Sequence, residues 1–234
     1  FVVAGTHGKT TTAAMLTWVL KQGGRDPGYM IGGIPANLGQ GASFTDSDFN
    51  VLEGDEYDTA FFDKRSKFLH YLPELAVINN IEFDHADIYG SLEEIKMTFR
   101  RLLNIVPGRG LALVNGDDPN VIEVIEQSPC PVRTIGLSAG CEWRIENPVY
   151  QREGSSFRLA GEDYFIPMVG EFNVRNAAMA VAGGVFAAVS PDQIRKAFTS
   201  FKGIARRQQL RGEVRGVKVI DDFAHHPTAV RLAI

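Results

Sequence analysis

Short, unbroken apolar runs recur along this chain between stretches with helical spacing. Phe1-Val2-Val3-Ala4, Tyr29 to Ile34, Phe49 to Glu53, Leu75 to Asn80 and Gly110 to Val114 each read as a buried strand bounded by small or polar residues. Between the first two, Lys9 to Gln22 places Met15, Leu16, Val19 and Leu20 at helical spacing, and Gly23-Gly24 supplies the stop. Ser91-Leu92-Glu93-Glu94 predicts a capping box opening a helix to about Asn104, with Ile95, Thr98, Phe99, Leu102 and Leu103 inward. A helix over Asn120 to Gln127 follows the fifth strand. Strands that are apolar throughout, joined by helices, predict a mostly parallel sheet covered on both faces.

From Trp143 to Val169 the pattern shortens and alternates, with turns at Glu153-Gly154 and Ala160-Gly161, which predicts antiparallel hairpins attached to the main sheet. Helices resume at Asn173 to Val189 and at Pro191 to Ser200, where Ser190 caps and Pro191 takes the first turn. Gly216 to Asp222 predicts a last strand ending in two aspartates. The fold class is therefore α/β, a mostly parallel sheet of the phosphate-loop type with helices on both faces plus a small antiparallel sheet.

Composition narrows the partners. A 44% hydrophobic content over 234 residues is ample for a packed core, and a net charge of −4 argues against nucleic acid or an anionic membrane surface. The longest small-apolar run, Ala177 to Val189, is interrupted by two glycines and falls short of the ~20 residues a bilayer requires. Cys130 and Cys141 have neither metal-ligand spacing nor a disulfide framework, so a reducing cytoplasm is the expected location. A core strand begins at Phe1 without an initiating Met, and Val230 to Ile234 stops within a helical pattern. The expectation is a central portion of a longer protein.

The candidate chemistry begins where the first strand breaks. Gly5-Thr6-His7-Gly8-Lys9-Thr10-Thr11 turns through small residues into a helix, which suits a phosphate: backbone amides turn inward, the helix presents its positive end, and Lys9 adds a charge. Thr10 offers a hydroxyl to a phosphate-bound metal. The usual loop has a glycine five residues before the Gly-Lys pair, and Val3 stands there, so this is a shortened variant. A glycine-rich turn with a surface lysine would have the same letters. The third strand ends in Glu53-Gly54-Asp55-Glu56-Tyr57-Asp58 and the fourth delivers Glu82, Asp84, His85 and Asp87 to the same edge. Carboxylates there suit a nucleotide's metal, although a solvated acidic turn is the plainer reading of either run.

Taken in order, Gly5 to Thr10, Asn80 to Asp84-His85, Gly170-Glu171-Phe172-Asn173-Val174-Arg175-Asn176-Ala177-Ala178, and Arg206-Arg207 before Asp222 resemble the ATP-binding central domain of the Mur ligases. The resemblance spans essentially the whole chain. It implies a domain over 1–222, with 223–234 as hinge and start of a C-terminal domain and a UDP-binding domain upstream. It also implies an ADP-forming ligase that converts a carboxylate to an acyl phosphate for attack by an amine. Asp221-Asp222-Phe223-Ala224-His225-His226-Pro227-Thr228 is similar to the branch acting on UDP-N-acetylmuramate. Tyr57 and Asp63-Lys64-Arg65-Ser66-Lys67 are similar to members that add the murein tripeptide L-alanyl-γ-D-glutamyl-meso-diaminopimelate; members adding L-alanine are the alternative.

By the same resemblance, ATP and Mg²⁺ are the expected cofactors. Gly5, Thr6, Gly8, Lys9, Thr10 and Thr11 would hold phosphates, and Thr10, Glu53 and His85 would ligate metal. Asn173 and Asn176 would contact adenine, Arg207 the γ-phosphate and Asp222 the ribose. Lys64, Arg65, Lys67, Phe223 and His225 would face substrate, whereas a solvated basic turn and local Asn bonding are the plainer readings. The chain departs from the family at Phe172, where His is common, and at Arg100, where an ungapped count from His85 places a carbamoylated lysine in several relatives. A guanidinium does not take that modification. A GTPase-like switch is disfavoured because no Asn-Lys-x-Asp stretch is present, and folylpolyglutamate synthase is a further alternative sharing the ATP fold.

Overall fold

The structure is a computed structural model that describes residues 1–233; the helical ending expected over Val230 to Ile234 therefore falls partly outside the described residues. The chain opens with β1 (Val2–Ala4) and α1 (Lys9–Gln22), then β2 (Gly28–Met30), β3 (Ala42–Ser43) and β4 (Asn50–Glu53). A small hairpin of β5 (Asp58–Ala60) and β6 (Asp63–Ser66) precedes β7 (Leu75–Ile78), α2 (Leu92–Ile105), β8 (Leu111–Asn115), α3 (Pro119–Ile125), β9 (Val132–Gly136) and β10 (Trp143–Arg144). Next come β11 (Glu146–Gln151), β12 (Gly154–Leu159), β13 (Glu162–Ile166), α4 (Glu171–Phe186) and α5 (Pro191–Thr199). The chain closes with β14 (Gln209–Val214), β15 (Val217–Asp221) and α6 (Pro227–Ala233).

The main sheet has eight strands in the order β10-β9-β8-β7-β1-β4-β2-β3, parallel throughout except where β3 pairs antiparallel with β2. Side chains alternate across it, as the two-residue period of a strand demands. Val3, Leu75, Val77 and Leu113 join the core under α1, α4 and α5, while Val2, Ala4, Ala76, Ile78, Ala112 and Val114 join a second core under α2. Both faces are buried, which is why these strands read as continuous apolar runs.

The helices pack as their patterns predict. On α2, Ile95, Phe99, Leu102 and Leu103 are all essentially inaccessible. Its capping box closes one residue early: Ser91 Oγ accepts from the Glu94 amide at 3.4 Å, but Glu94 accepts from Gly90 rather than Ser91. Helix α4 lies against α1 closely enough that a Cβ on Gly183 would come within 2.8 Å of Leu16 Cδ1. That contact explains the small residues from Ala177 onward.

Three segments differ from expectation. Trp143–Arg144 pairs parallel to β9 and extends the main sheet, and only β11, β12 and β13 form the antiparallel unit. Alternation identifies a strand but not its partner. Asp63 to Lys67 is no simple turn, because Asp63–Ser66 is the returning strand of a hairpin whose tip exposes Phe61 and Phe62. The last strand, β15, pairs with β14 in a separate ribbon whose first strand the hydrophobic pattern did not flag. Among the described residues no helix is long and apolar enough to cross a membrane.

Phe99 fills the centre of the second core. Its replacement by Ala is expected to cost about 3–5 kcal/mol of stability, measured by the shift of the urea unfolding midpoint.

Candidate active site

Strand order decides where the polar residues collect. β1 is flanked by β4 on one side and β7 on the other, so connections leave it in opposite directions and open a crevice at the strands' carboxyl ends. β1 runs there into the phosphate loop, β4 ends at Glu53, β7 runs into Asn79-Asn80 and β8 ends at Asn115.

The loop is held from behind by the end of β7. The Thr6 amide donates to the Asn80 carbonyl at 3.1 Å, and the His7 amide donates to Asn80 Oδ1 at 2.7 Å. Asn79 Nδ2 donates to His7 O and to Thr12 Oγ1, and Thr12 Oγ1 donates to Asn176 Oδ1 at 3.2 Å. Gly8 has φ 79°, and a Cβ there would meet Asn176 Oδ1 at 2.4 Å, so this position requires glycine on two counts.

Two cavities meet at this loop. One, about 440 Å³, lies between the loop, the ends of β7 and β8, and the start of α4; Gly8, Thr10, Thr11, Asn173, Asn176, Arg207 and Asp222 border it. The other, about 520 Å³, is bordered by Thr6, Lys9, Thr10, Glu53, Lys67, His85, Phe223 and His225. Lys64 and Arg65 border neither. Lys64 pairs with Asp58 at 2.7 Å and Arg65 with Asp63 at 2.8 Å, both on the exposed hairpin. Arg100 also lies elsewhere, paired with Glu123 on the outside of α2.

In the second cavity Thr10 Oγ1 donates to Glu53 Oε1 at 2.9 Å, the Gly32 amide donates to Glu53 Oε2 at 2.6 Å, and Arg207 Nη2 donates to Thr10 Oγ1 at 3.2 Å. Burial pushes the Glu53 carboxyl above its ordinary value against those hydrogen bonds. A carboxylate and a hydroxyl so placed form an oxygen pair suited to Mg²⁺. Glu56 was not singled out by sequence within its acidic run, yet it is almost wholly buried and accepts from Lys9 Nζ at 3.0 Å. Its other oxygen lies 3.6 Å from His85 Nε2. Burial opposes the Glu56 charge, but Lys9 and His85 outweigh it and hold the carboxyl below its ordinary range. The Glu56 carboxylate beside it in turn raises His85, despite partial burial.

Around the first cavity, Asn173 Nδ2 donates to Val169 O at 2.8 Å and Gln208 Oε1 at 3.1 Å, so its amide nitrogen is spent locally. Asp222 accepts from the amides of Gln208 and Ala224. Phe223 lies under the guanidinium groups of Arg206 and Arg207, at 4.9 and 5.4 Å, and His225 Nδ1 lies 3.1 Å from Phe223 O. Among the described residues four buried side-chain polar atoms lack a partner, and three of them, His7 Nε2, Asn79 Oδ1 and Asn173 Oδ1, belong to residues bordering this cavity. The two orphaned amide oxygens beside this cavity, Asn79 Oδ1 and Asn173 Oδ1, are acceptors that a polar ligand could satisfy.

A phosphate loop at a sheet switch point, with an oxygen pair for Mg²⁺ beside it, defines a nucleotide-binding α/β domain. The Mur ligase middle domain matches residues 3–184, and the chain belongs to that family. A UDP-N-acetylmuramate–L-alanyl-γ-D-glutamyl-meso-2,6-diaminoheptandioate ligase of Escherichia coli is 44% identical over 97% of this chain and 50% of its own length. A UDP-N-acetylmuramate–L-alanine ligase of Salinibacter ruber is 39% identical over 99% of this chain and 48% of its own. A solved murein peptide ligase of Psychrobacter arcticus superposes with TM-score 0.79 at 34% identity, covering 99% of this chain and 53% of that one. The chain thus spans about half the length of the curated relatives it matches.

The Glu56 contact predicts a pH signature. His85 should titrate above its ordinary 6.5, so its pairing stabilises the fold fully below that value and the contribution fades as pH rises through the raised one. Proton NMR of the His85 ring is expected to show a midpoint that falls in Glu56→Gln.

Proposed function

We propose that this chain is the ATP-binding unit of an ADP-forming ligase that joins UDP-N-acetylmuramate to the tripeptide L-alanyl-γ-D-glutamyl-meso-diaminopimelate, in the cytoplasm and in recycling of peptidoglycan. The observation that carries the reaction class is the gathering of Lys9, Thr10, Glu53, His85 and Arg207 around one cavity beside a phosphate loop. The names of the curated relatives with 44% and 41% identity support the tripeptide over L-alanine, for which the curated relative at 39% is named.

In this reading the loop amides and Lys9 hold the β- and γ-phosphates, while Thr10 and Glu53 hold Mg²⁺ and His85 a second metal. ATP supplies a phosphoryl group that activates the muramate carboxyl, which by itself is a poor acyl donor. The residues contribute charge neutralisation, alignment and exclusion of water. Lys9 is held by Glu56 at 3.0 Å and must exchange that partner for phosphate, while Glu56 retains His85 as a counter-charge. Arg207 approaches from the opposite wall through Thr10. Asn173 and Asn176 would face adenine, and Asp222 the ribose. Lys67, whose Nζ sits 4.7 Å over the Tyr57 ring, is the hairpin cation placed to meet an anionic substrate; Phe223 and His225 line the same side. The residues after Asp222 would lead into a further domain, and gripping of the uridine diphosphate and the tripeptide is assigned to segments outside this chain.

Two measurements test the reading in the full-length enzyme. Lys9→Ala is expected to lower ADP release with muramate and tripeptide by at least about 10²-fold. With tripeptide and L-alanine in competition, the tripeptide product is expected to dominate, and predominance of the alanyl product would reverse the substrate assignment.

A further inference from the structure

Beside the cavities just described, three metal-competent side chains from distant parts of the sequence converge on one point. His7 comes from the phosphate loop, Glu82 from the segment after β7, and His226 from the residue before α6; one ligand atom from each lies within 4.8 Å of the others. His7 Nε2 is 3.5 Å from Glu82 Oε1, and His226 Nδ1 is 3.7 Å from Glu82 Oε2. These separations are too long for hydrogen bonds, which close at about 2.7–3.2 Å. Metal–ligand bonds of about 2.0–2.1 Å give a tetrahedral edge of roughly 3.4 Å, which the three ligand atoms would reach by small side-chain movements from separations within 4.8 Å.

The side chains are also oriented as ligands. His226 Nε2 lies 3.2 Å from the Phe83 carbonyl, and that oxygen can only accept, so the proton belongs on Nε2 and Nδ1 keeps its lone pair. The Thr228 amide, 3.3 Å from Nδ1, is the competing donor, at the weak end of the range. Thr228 Oγ1 fixes the Glu82 carboxylate by donating to Oε2 at 2.7 Å. His7 Nε2 is a buried nitrogen without a hydrogen-bond partner, and its ring lies 4.4 Å from that of His226. Packing has brought these groups together, and of the three only His7 Nε2 has no hydrogen-bond partner, while His226 Nδ1 accepts from the Thr228 amide and Glu82 Oε2 from the Thr228 hydroxyl.

We propose that His7, Glu82 and His226 form a site for a divalent transition-metal cation of the zinc class. Two imidazoles and one carboxylate favour such a cation over Mg²⁺, which prefers oxygen alone. The site is distinct from the Thr10, Glu53 and His85 group. A cation here would cross-link the phosphate loop to the entry of α6, pinning the segment after Asp222 against the nucleotide cradle. The inference stands whether or not the ligase reading does, since it rests on this geometry alone.

The test is Co²⁺ titration of the full chain with Mg²⁺ in excess, followed by displacement with Zn²⁺. One equivalent is expected, with the strong visible bands of a four-coordinate nitrogen and oxygen site. His226→Ala and Glu82→Gln should each weaken binding by more than about tenfold, with circular dichroism unchanged. In the unmodified chain Zn²⁺ should shift the ring signals of His7 and His226 and leave those of His70 in place, a readout that survives if either variant fails to fold. Wild-type affinity in both folded variants, the faint spectrum of a six-coordinate ion, a thiolate charge-transfer band from Cys130 or Cys141, or unmoved His7 and His226 signals would each overturn the proposal.

Discussion

A loop that is to hold an anion with the amides at its helix end must have the polar groups of its earlier residues satisfied from behind. Here Asn79 and Asn80 do this. Asn80 binds the loop through its carbonyl and both ends of its side chain, and Asn79 ties His7 to Thr12 and, through it, to Asn176 on α4. Each such bond contributes only about 1 kcal/mol net, but leaving a buried partner unmade costs more, which is why the set holds one geometry. The loop, two strands and α4 are thereby fixed as a unit, and the cavities on either side of the loop take their shape from it.

Charge is distributed by the same logic. Glu56 is buried to 2% exposure between Lys9 and His85, so removing Glu56 would leave Lys9 without its counter-charge, while loss of Lys9 would leave Glu56 to His85 alone. The arrangement keeps Lys9 extended along the cradle. Glu53, by contrast, accepts only from a hydroxyl and an amide, and burial raises its carboxyl. Two glutamates three positions apart thus have different partners, one the lysine and the other neutral donors alone.

Much of this was readable in advance. The apolar runs of Val2 to Ala4, Leu75 to Ile78 and Leu111 to Val114 identified buried parallel strands because their residues are apolar on both faces. The loop between β1 and α1 was legible as a strand–glycine loop–helix turn because Gly5 and Gly8 break the apolar run, and both adopt positive φ. The capping set at Ser190 is complete, with Gln193 closing the reciprocal bond. Glu56 was hidden within an acidic run whose members look alike in sequence, and the role of Asn79 was hidden in a strand end. The partner of β15 escaped because Gln209 to Val214 has little apolar periodicity, and its side chains are largely exposed.

The sequence by itself determined the α/β class, the five apolar strands and the long helices, the glycine loop before α1 and the family, since each rests on local periodicity or on a contiguous motif, whereas strands such as β9 carry no such signal. Only the tertiary structure decided which carboxylate meets Lys9, that Lys64 and Arg65 are spent on the hairpin while Lys67 reaches a cavity, and that His7, Glu82 and His226 meet at all. The reason is physical: periodicity is a property of neighbours along the chain, whereas a site is made where strand order folds residues as far apart as Thr10 and Arg207 to within 3.2 Å.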